Sequence, residues 1–285
     1  MTSPTSLKLR PADQQDTSVL LNFINSQAYV HRHLDWREPV AWLGHQPFWI
    51  IQDEQDIIAA LACPPDPAEV AWVRLFAVDS FFSPDYAWKL LFEKVQSHLP
   101  VNPNPVIASL ALREWFANLL VRNGFSHYQD IVVLVFRERE LPESRTNPDV
   151  LIRPMLPTDL PIVEKIDHSA FESIWQLSLA DLTSAFERGY YSTIAEIDGQ
   201  VVGYLMSSLN GYFAHLSRLA VIPGFQGKSI GYSMVYQMLS FFLNNTDVWE
   251  ITVNTQNTNT LSLSLYKRAG FRLSGETFPV LVFDQ

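Results

Sequence analysis

The stretch VIPGFQGKSIGYSM, Val221 to Met234, decides how this chain is read. It runs from an apolar segment, through Gly224, Gly227 and Gly231, into apolar residues at helical spacing. Ile230, Met234, Val235, Met238 and Phe241 or Phe242 would give that helix a buried face. A strand, a glycine-containing loop and a helix start make an anion site, because unpaired N–H groups at a helix N-terminus point outward and the helix dipole favours negative charge there. Three readings of the loop compete. A P-loop needs G-x-x-x-x-G-K-[ST]; Gly227-Lys228-Ser229 supplies its end, but the first glycine would have to stand at Ile222. A dinucleotide-binding turn needs G-x-G-x-x-G near the first strand, and that spacing is absent. The third reading is an ordinary turn whose glycines only ease the backbone.

Beyond the loop, the two halves of the chain resemble each other in order and spacing, the signature of an internal repeat. LKLRPADQQD (from Leu7) parallels VLIRPMLPTDL (from Val150), and WIIQDEQDIIAAL (from Trp49) parallels TIAEIDGQVVGYL (from Thr193). RLFAVDS (from Arg74) parallels SRLAVIPG (from Ser217), and LLVRNGFSHYQDIVVLVF (from Leu119) parallels LYKRAGFRLSGETFPVLVF (from Leu265). Two domains follow, residues 1–137 and 150–285, joined by a polar linker over 138–149. Each half reads as strands interleaved with helices, an α/β fold with a mixed sheet. Thr158-Asp159 before Pro161 marks a helix start, and Asp198-Gly199 between two apolar runs marks a tight hairpin. His215–Val221 is the next strand. LSLSL (261–265) alternates like a strand, yet Leu261, Leu265 and Ala269 share a helical face and Gly270 can end a helix in the left-handed conformation, so helix is preferred.

With 47% hydrophobic and 18% charged residues, the 285-residue chain can pack substantial cores. A net charge of −10 without a long basic run excludes nucleic acid as the expected partner. The single cysteine, Cys63, excludes an internal disulfide framework. No apolar run approaches the roughly 20 residues that span a bilayer, and MTSPTSLKLRPADQQD lacks a signal-peptide layout. A cytoplasmic protein with no membrane partner is expected; its oligomeric state is left open. His31-x-His33 lacks supporting ligands, so no metal is expected.

Gln226, Gly227, Lys228, Ser229, Ile230 and Gly231 resemble the acyl-CoA loop of the GNAT superfamily of N-acetyltransferases, Q/R-x-x-G-x-G/A after a strand ending V-x-P. Ser229 replaces the first motif glycine and is expected to fit the turn with a negative φ. Asn259, Tyr266, Gly270 and Phe271 likewise fill a second family signature, N-x₆-Y-x-x-x-G-F. The resemblance covers the whole second half and, more faintly, the first, giving two tandem GNAT-like domains. It implies acetyl-CoA as co-substrate. Leu219, Ala220 and Val221 would hold the pantetheine arm through their backbone, and amides from Gly227 to Gly231 the pyrophosphate, with Lys228 as an optional charge. Asn259 would bind the coenzyme, the alternative being a helix cap. Tyr266 would protonate the leaving thiolate, its phenol being a donor at neutral pH, unless its ring merely packs in the core. Where many relatives carry a glutamate, this chain has His215, a competent base or simply a hydrogen-bonded strand residue. Glu172 could line the acceptor mouth.

The function implied is acetyl transfer from acetyl-CoA to a primary amine of a small molecule or peptide, by direct attack in a ternary complex. No nucleophile pattern supports an acyl-enzyme. The alternative is a catalytically weak coenzyme-A-binding sensor or scaffold, against which Tyr266 speaks. In the first half, Ser83, Pro84, Tyr86 and Trp88 align with Gln226, Gly227, Ser229 and Gly231, while Leu120 and Trp72 align with Tyr266 and His215. Proline brings no N–H donor, so that half reads as a non-catalytic copy. Its Trp36, Trp42, Trp49 and Trp88 would fill its core, with a wall of the acceptor pocket as the sharper alternative.

Overall fold

The computed structural model describes residues 7–283; the first six residues of the stretch read for a signal peptide lie outside it. Two compact units divide the chain. The first runs to Tyr128 and includes the segment from Pro279; the second is Gln129–Phe278. The boundaries expected above follow the repeat, whereas these units follow packing.

The first unit contains β1 (Lys8–Pro11), α1 (Thr17–Ser26), β2 (Tyr29–Arg32), β3 (Phe48–Asp53), β4 (Asp56–Ala62), β5 (Val70–Trp72), β6 (Leu75–Val78), α2 (Pro84–His98), β7 (Val106–Leu110), α3 (Glu114–Arg122) and the start of β8 (Phe125–Phe136). One sheet has the order β1-β3-β4-β6-β2. β5 pairs in parallel with β7, whose other edge pairs antiparallel with residues 280–283.

The second unit takes residues 131–136 of β8, then β9 (Leu151–Pro154), α4 (Leu160–Ala170), α5 (Leu179–Arg188), β10 (Tyr191–Ile197), β11 (Gln200–Asn210), β12 (Phe213–Val221), α6 (Ile230–Asn245), β13 (Glu250–Gln256), α7 (Thr260–Arg268) and the start of β14 (Arg272–Phe283). Its strands run β9-β10-β11-β12-β13-β8, and only β12 and β13 are parallel neighbours. The mixed sheets and their helices are the expected α/β architecture.

Local chemistry explains these elements. Asp198 and Gly199 both take positive φ, 49° and 77°, the geometry that lets a two-residue turn follow strand twist. The LSLSL segment is helical, and Gly270 at φ +96° ends α7 where an added Cβ would meet the Phe136 ring at 3.0 Å. On α6, Ile230, Met234, Val235, Met238 and Phe242 are buried while Phe241 is only partly covered. Each buried side chain of this size contributes about 2 kcal/mol. The repeat extends to its ion pairs. Arg10 Nη1 donates to Asp16 at 2.8 Å and Arg153 Nη1 to Asp159 at 2.9 Å, each carboxylate also accepting the amide three residues before it.

Candidate active site

β12 is held by β11 along one edge, but by β13 only from Phe213 to Leu216. β13 runs on to Gln256 against β8. The two parallel neighbours therefore splay, and the edge of residues 217–221 is left without a strand partner among the described residues.

A bulge sits at the start of this open edge. Met206 pairs with Arg218 but Ser207 pairs with Leu216, so Ser217 is the extra residue. An extra residue turns every following side chain to the other face. Ala214 and Leu216 pack into the same core as Tyr266, as do Leu219 and Val221 after the bulge. His215 alternates with the first pair and Arg218 with the second, so both lie on the opposite face. Tyr266 and His215 thus lie on opposite faces of the sheet.

The backbone alternates as well. Ile222 N donates to Val202 O at 2.9 Å, which places Ala220 in a bonded pair with Tyr204 and turns the amides of Leu219 and Val221 to the open edge. Ala220 therefore offers the open edge no free backbone group. Gln226 folds back, its Nε2 donating to Val221 O at 2.9 Å.

After the single turn Pro223–Phe225, the loop takes positive φ at Gly227 (77°) and at Ser229 (59°). The expectation of a negative φ at Ser229 is thus corrected: serine occupies the left-handed conformation of the glycine it replaces, at a cost of about 1 kcal/mol. No side chain caps α6. Among the described residues nothing accepts from the amides of Gly227, Lys228, Ser229, Ile230 or Gly231. Lys228 is exposed, its Nζ 4.7 Å from the Phe225 ring centre.

Asn259 caps α7, its Oδ1 accepting from Ser262 N at 3.0 Å. The Tyr266 ring is buried beside Phe271. Burial raises its phenol above the usual range, and the charge of Arg218 offsets part of that rise; it remains a proton donor across neutral pH. Its hydroxyl makes no hydrogen bond among the described residues. His215 Nδ1 lies 2.8 Å from Thr252 Oγ1. Burial pushes its imidazole down to about 4, so the ring is neutral at physiological pH. Glu172 is exposed before the short turn Ser173–Trp175.

A buried polar cluster next to this site escaped the sequence reading. Asp167 of α4, wholly buried, accepts from Tyr204 Oη, from Arg218 Nε at 2.8 Å and from Leu177 N at 2.9 Å. Arg218 Nη2 also donates to Trp175 O at 2.5 Å, and its guanidinium lies 3.7 Å from the Phe171 ring centre. The cluster fixes the connection between α4 and α5 beside the His215 face. One signal was visible: Asp167 falls at helical spacing with Val163 and Ile166, a carboxylate on an apolar face.

The corresponding parts of the first unit are closed. Val78 pairs with Ala59 as Val221 pairs with Gly203, so β6 stands where the end of β12 stands. Its other edge carries β2, in register Tyr29↔Val78, Val30↔Ala77, His31↔Phe76 and Arg32↔Leu75. Ser83 Oγ caps α2 by accepting from Tyr86 N at 3.4 Å, and Pro84 fills the first turn. Trp42, Trp49 and Trp88 are core residues, whereas Trp36 is half-buried and Tyr86 exposed. His31 meets Val73 O at 3.0 Å and stacks on Phe116; His33 stacks on Trp72. Cys63 is buried, and its thiol is pushed up to about 12 by that burial. Among the described residues no three His, Cys, Asp or Glu side chains are placed to hold a metal ion, and no helix is long and apolar enough to cross a membrane.

The site thus joins a splayed parallel strand pair to a helix N-terminus that no side chain caps. Residues 160–271 match the acetyltransferase (GNAT) family model. An uncharacterized N-acetyltransferase of Methanocaldococcus jannaschii is 31% identical over 124 residues, 43% of this chain and 78% of that one. An N-alpha-acetyltransferase of Sulfurisphaera tokodaii is 23% identical over 146 residues, 47% of this chain and 86% of that one. A tandem GNAT protein from the clavulanic acid biosynthesis pathway superposes with a TM-score of 0.66 at 14% identity, over 97% of this chain and 98% of that one. The chain belongs to the GNAT family and is an acetyltransferase.

Proposed function

We propose that the second unit transfers an acetyl group from acetyl-CoA to a primary amine of a small molecule or peptide, by direct attack within a ternary complex. The observation that carries this reading is the open edge of residues 217–221 ending at the unpaired amides of Gly227–Gly231. Leu219 and Val221 would hold the pantetheine arm through their backbone, while Ala220 keeps the strand on β11. The amides of Gly227, Lys228, Ser229, Ile230 and Gly231 would hold the diphosphate, with Gln226 bracing the turn. Asn259 serves as the cap of α7, so its part is to place Tyr266 at the end of the slot.

Tyr266, protonated and without an internal partner, would donate a proton to the departing thiolate. His215 would take the proton of the amine on the other face. With the Thr252 hydroxyl directed at Ala214 O (3.4 Å), Nδ1 donates to Thr252 and Nε2 carries the free lone pair. An imidazole with a pKa of about 4 is a weak base, which favours amines already neutral in part. A peptide α-amine (pKa about 8) is roughly a tenth neutral at pH 7, a lysine side chain (about 10.4) only about once in a few thousand. The relative from Sulfurisphaera tokodaii is named an N-alpha-acetyltransferase, which supports an α-amine acceptor.

The test is acetyl-CoA turnover over an amine panel. Tyr266→Phe should lower kcat about 10²- to 10³-fold, with the KM for acetyl-CoA within about threefold, and α-amines should outrun lysine side chains. Unimpaired turnover by Tyr266→Phe would sink the assignment of the acid; equal rates on both amine types would sink the acceptor class.

The first unit is proposed as a non-catalytic copy, because its own strand β2 and its own cap at Ser83 occupy what the coenzyme would contact.

A further inference from the structure

The polar stretch read as a linker is tied to the loop. Tyr232 Oη donates to Glu143 O at 3.2 Å, Asn147 N donates to Ser233 Oγ at 2.8 Å, and Asn147 Nδ2 donates to Lys228 O at 3.0 Å. The Ser233 hydroxyl, itself buried, donates onward to Ser229 O at 3.0 Å, which also accepts from Ser233 N at 2.9 Å. The two carbonyls that bracket the left-handed residue, Lys228 O before it and Ser229 O after it, are therefore both held from the protein side.

In a trans peptide the N–H points opposite to the C=O of the same plane. Holding Lys228 O inward turns the Ser229 amide outward, and holding Ser229 O inward turns the Ile230 amide outward. A serine at φ +59° otherwise gains by leaving this conformation, since a residue with a Cβ is strained there. A flip of the 228–229 peptide would relieve the strain and withdraw one donor from the loop. The hydrogen bond from Asn147 Nδ2 opposes that flip.

We propose that Asn147 is a positioning residue for coenzyme binding: it locks the strained turn at Ser229 so that the loop amides stay aimed at the diphosphate. This rests on the reading of the loop given above. Asn147 does nothing to the reacting atoms, so its loss weakens capture of the coenzyme and leaves the chemical step intact.

The experiment measures steady-state kinetics of the full chain with acetyl-CoA varied and the amine saturating. Asn147→Ala should raise the KM for acetyl-CoA about three- to tenfold, the worth of one such hydrogen bond, with kcat changed less than about twofold. Asn147→Asp can still accept from Asp149 N, as Asn147 Oδ1 does at 2.9 Å, but sets an oxygen against Lys228 O. Its KM should rise at least as much, whereas a residue that only shaped the linker would tolerate it. In a Ser229→Gly background the left-handed turn costs nothing, so the Asn147→Ala effect should shrink below about twofold. An unchanged KM in Asn147→Ala, a silent Asn147→Asp, or the same ratio in both backgrounds overturns the proposal. Gly227→Val tests the loop itself: φ is +77° there and an added Cβ meets nothing within 4 Å, so only the turn is disturbed. If Gly227→Val also leaves the KM unchanged, the reading of the loop fails and takes this proposal with it. If it raises the KM while Asn147→Ala does not, only Asn147 is misassigned.

Discussion

Burial beside the open edge of β12 sets the state of His215. Its imidazole is held near pKa 4 rather than the usual 6.5, so the base form persists to mildly acidic pH. The same shift carries a sign for stability. Between pH 6.5 and 4 the unfolded chain binds a proton that the folded chain refuses, so this contribution is full above pH 6.5 and is lost on acidification. For kcat/KM, once the ionisation of the amine is divided out, no titration is expected near 6.5 between pH 5 and 8. His215→Gln should lower kcat by about tenfold or more. A limb near 6.5 that vanishes in His215→Gln would contradict the burial argument. At this scale the sequence showed motif order, with Gln226–Gly231, Asn259 and Tyr266 in sequence, and Gly270 disclosed the end of a helix. The states of these residues were not legible. The bonds around the positive φ of Ser229 come from Ser233 one helical turn on and from the distant Asn147, and the turn of Ala220 to β11 depends on Tyr204 across the strand pair.

At the scale of elements, β12 and β6 differ in what lies along their second edge. Both strands lead to a helix start, yet β12 is open beyond Leu216 and its helix has no side-chain cap, while β6 carries β2 and the Ser83 cap follows it. The full chain should therefore bind one coenzyme A, counted by calorimetry or by native mass spectrometry. Loop substitutions in the second unit, such as Gly227→Val, should weaken that single event. A second molecule bound per chain would refute the occlusion of the first unit. The sequence showed part of this contrast, through Pro84 opposite Gly227, but β2 was not visible. YVHR is four residues long with no flanking turn signal of its own, and its partner β6 lies more than 40 residues away. Likewise the pairing of RLFAVDS with SRLAVIPG was legible, whereas the bulge at Ser217, which sends Arg218 to meet Asp167, has no local signature. Strand pairing is a non-local choice, and a period of two cannot announce where a register slips.

For the molecule as a whole, the tandem repeat was legible from matched motifs, and the ion pairs Arg10–Asp16 and Arg153–Asp159 repeat it in three dimensions. The limits of the compact units were not, because they depend on where the two last strands end. The edge of β7 is covered by residues 280–283, and the edge of β13 by residues 131–136. Scissors applied in the polar stretch, freeing residues 150–285, would strip β13 of its outer neighbour and leave the apolar tail PVLVF dangling. Bare edges of this kind recruit other chains, so such a fragment should emerge from size-exclusion chromatography as aggregate, whereas residues 129–278 retain β13's neighbour and shed the tail. A monodisperse, well-folded 150–285 fragment would show that β13 does not need its cover and that residues 280–283 do not need β7. The chain that repeats and the chain that packs are therefore cut at different residues, near 138–149 for the one and at Tyr128 and Pro279 for the other.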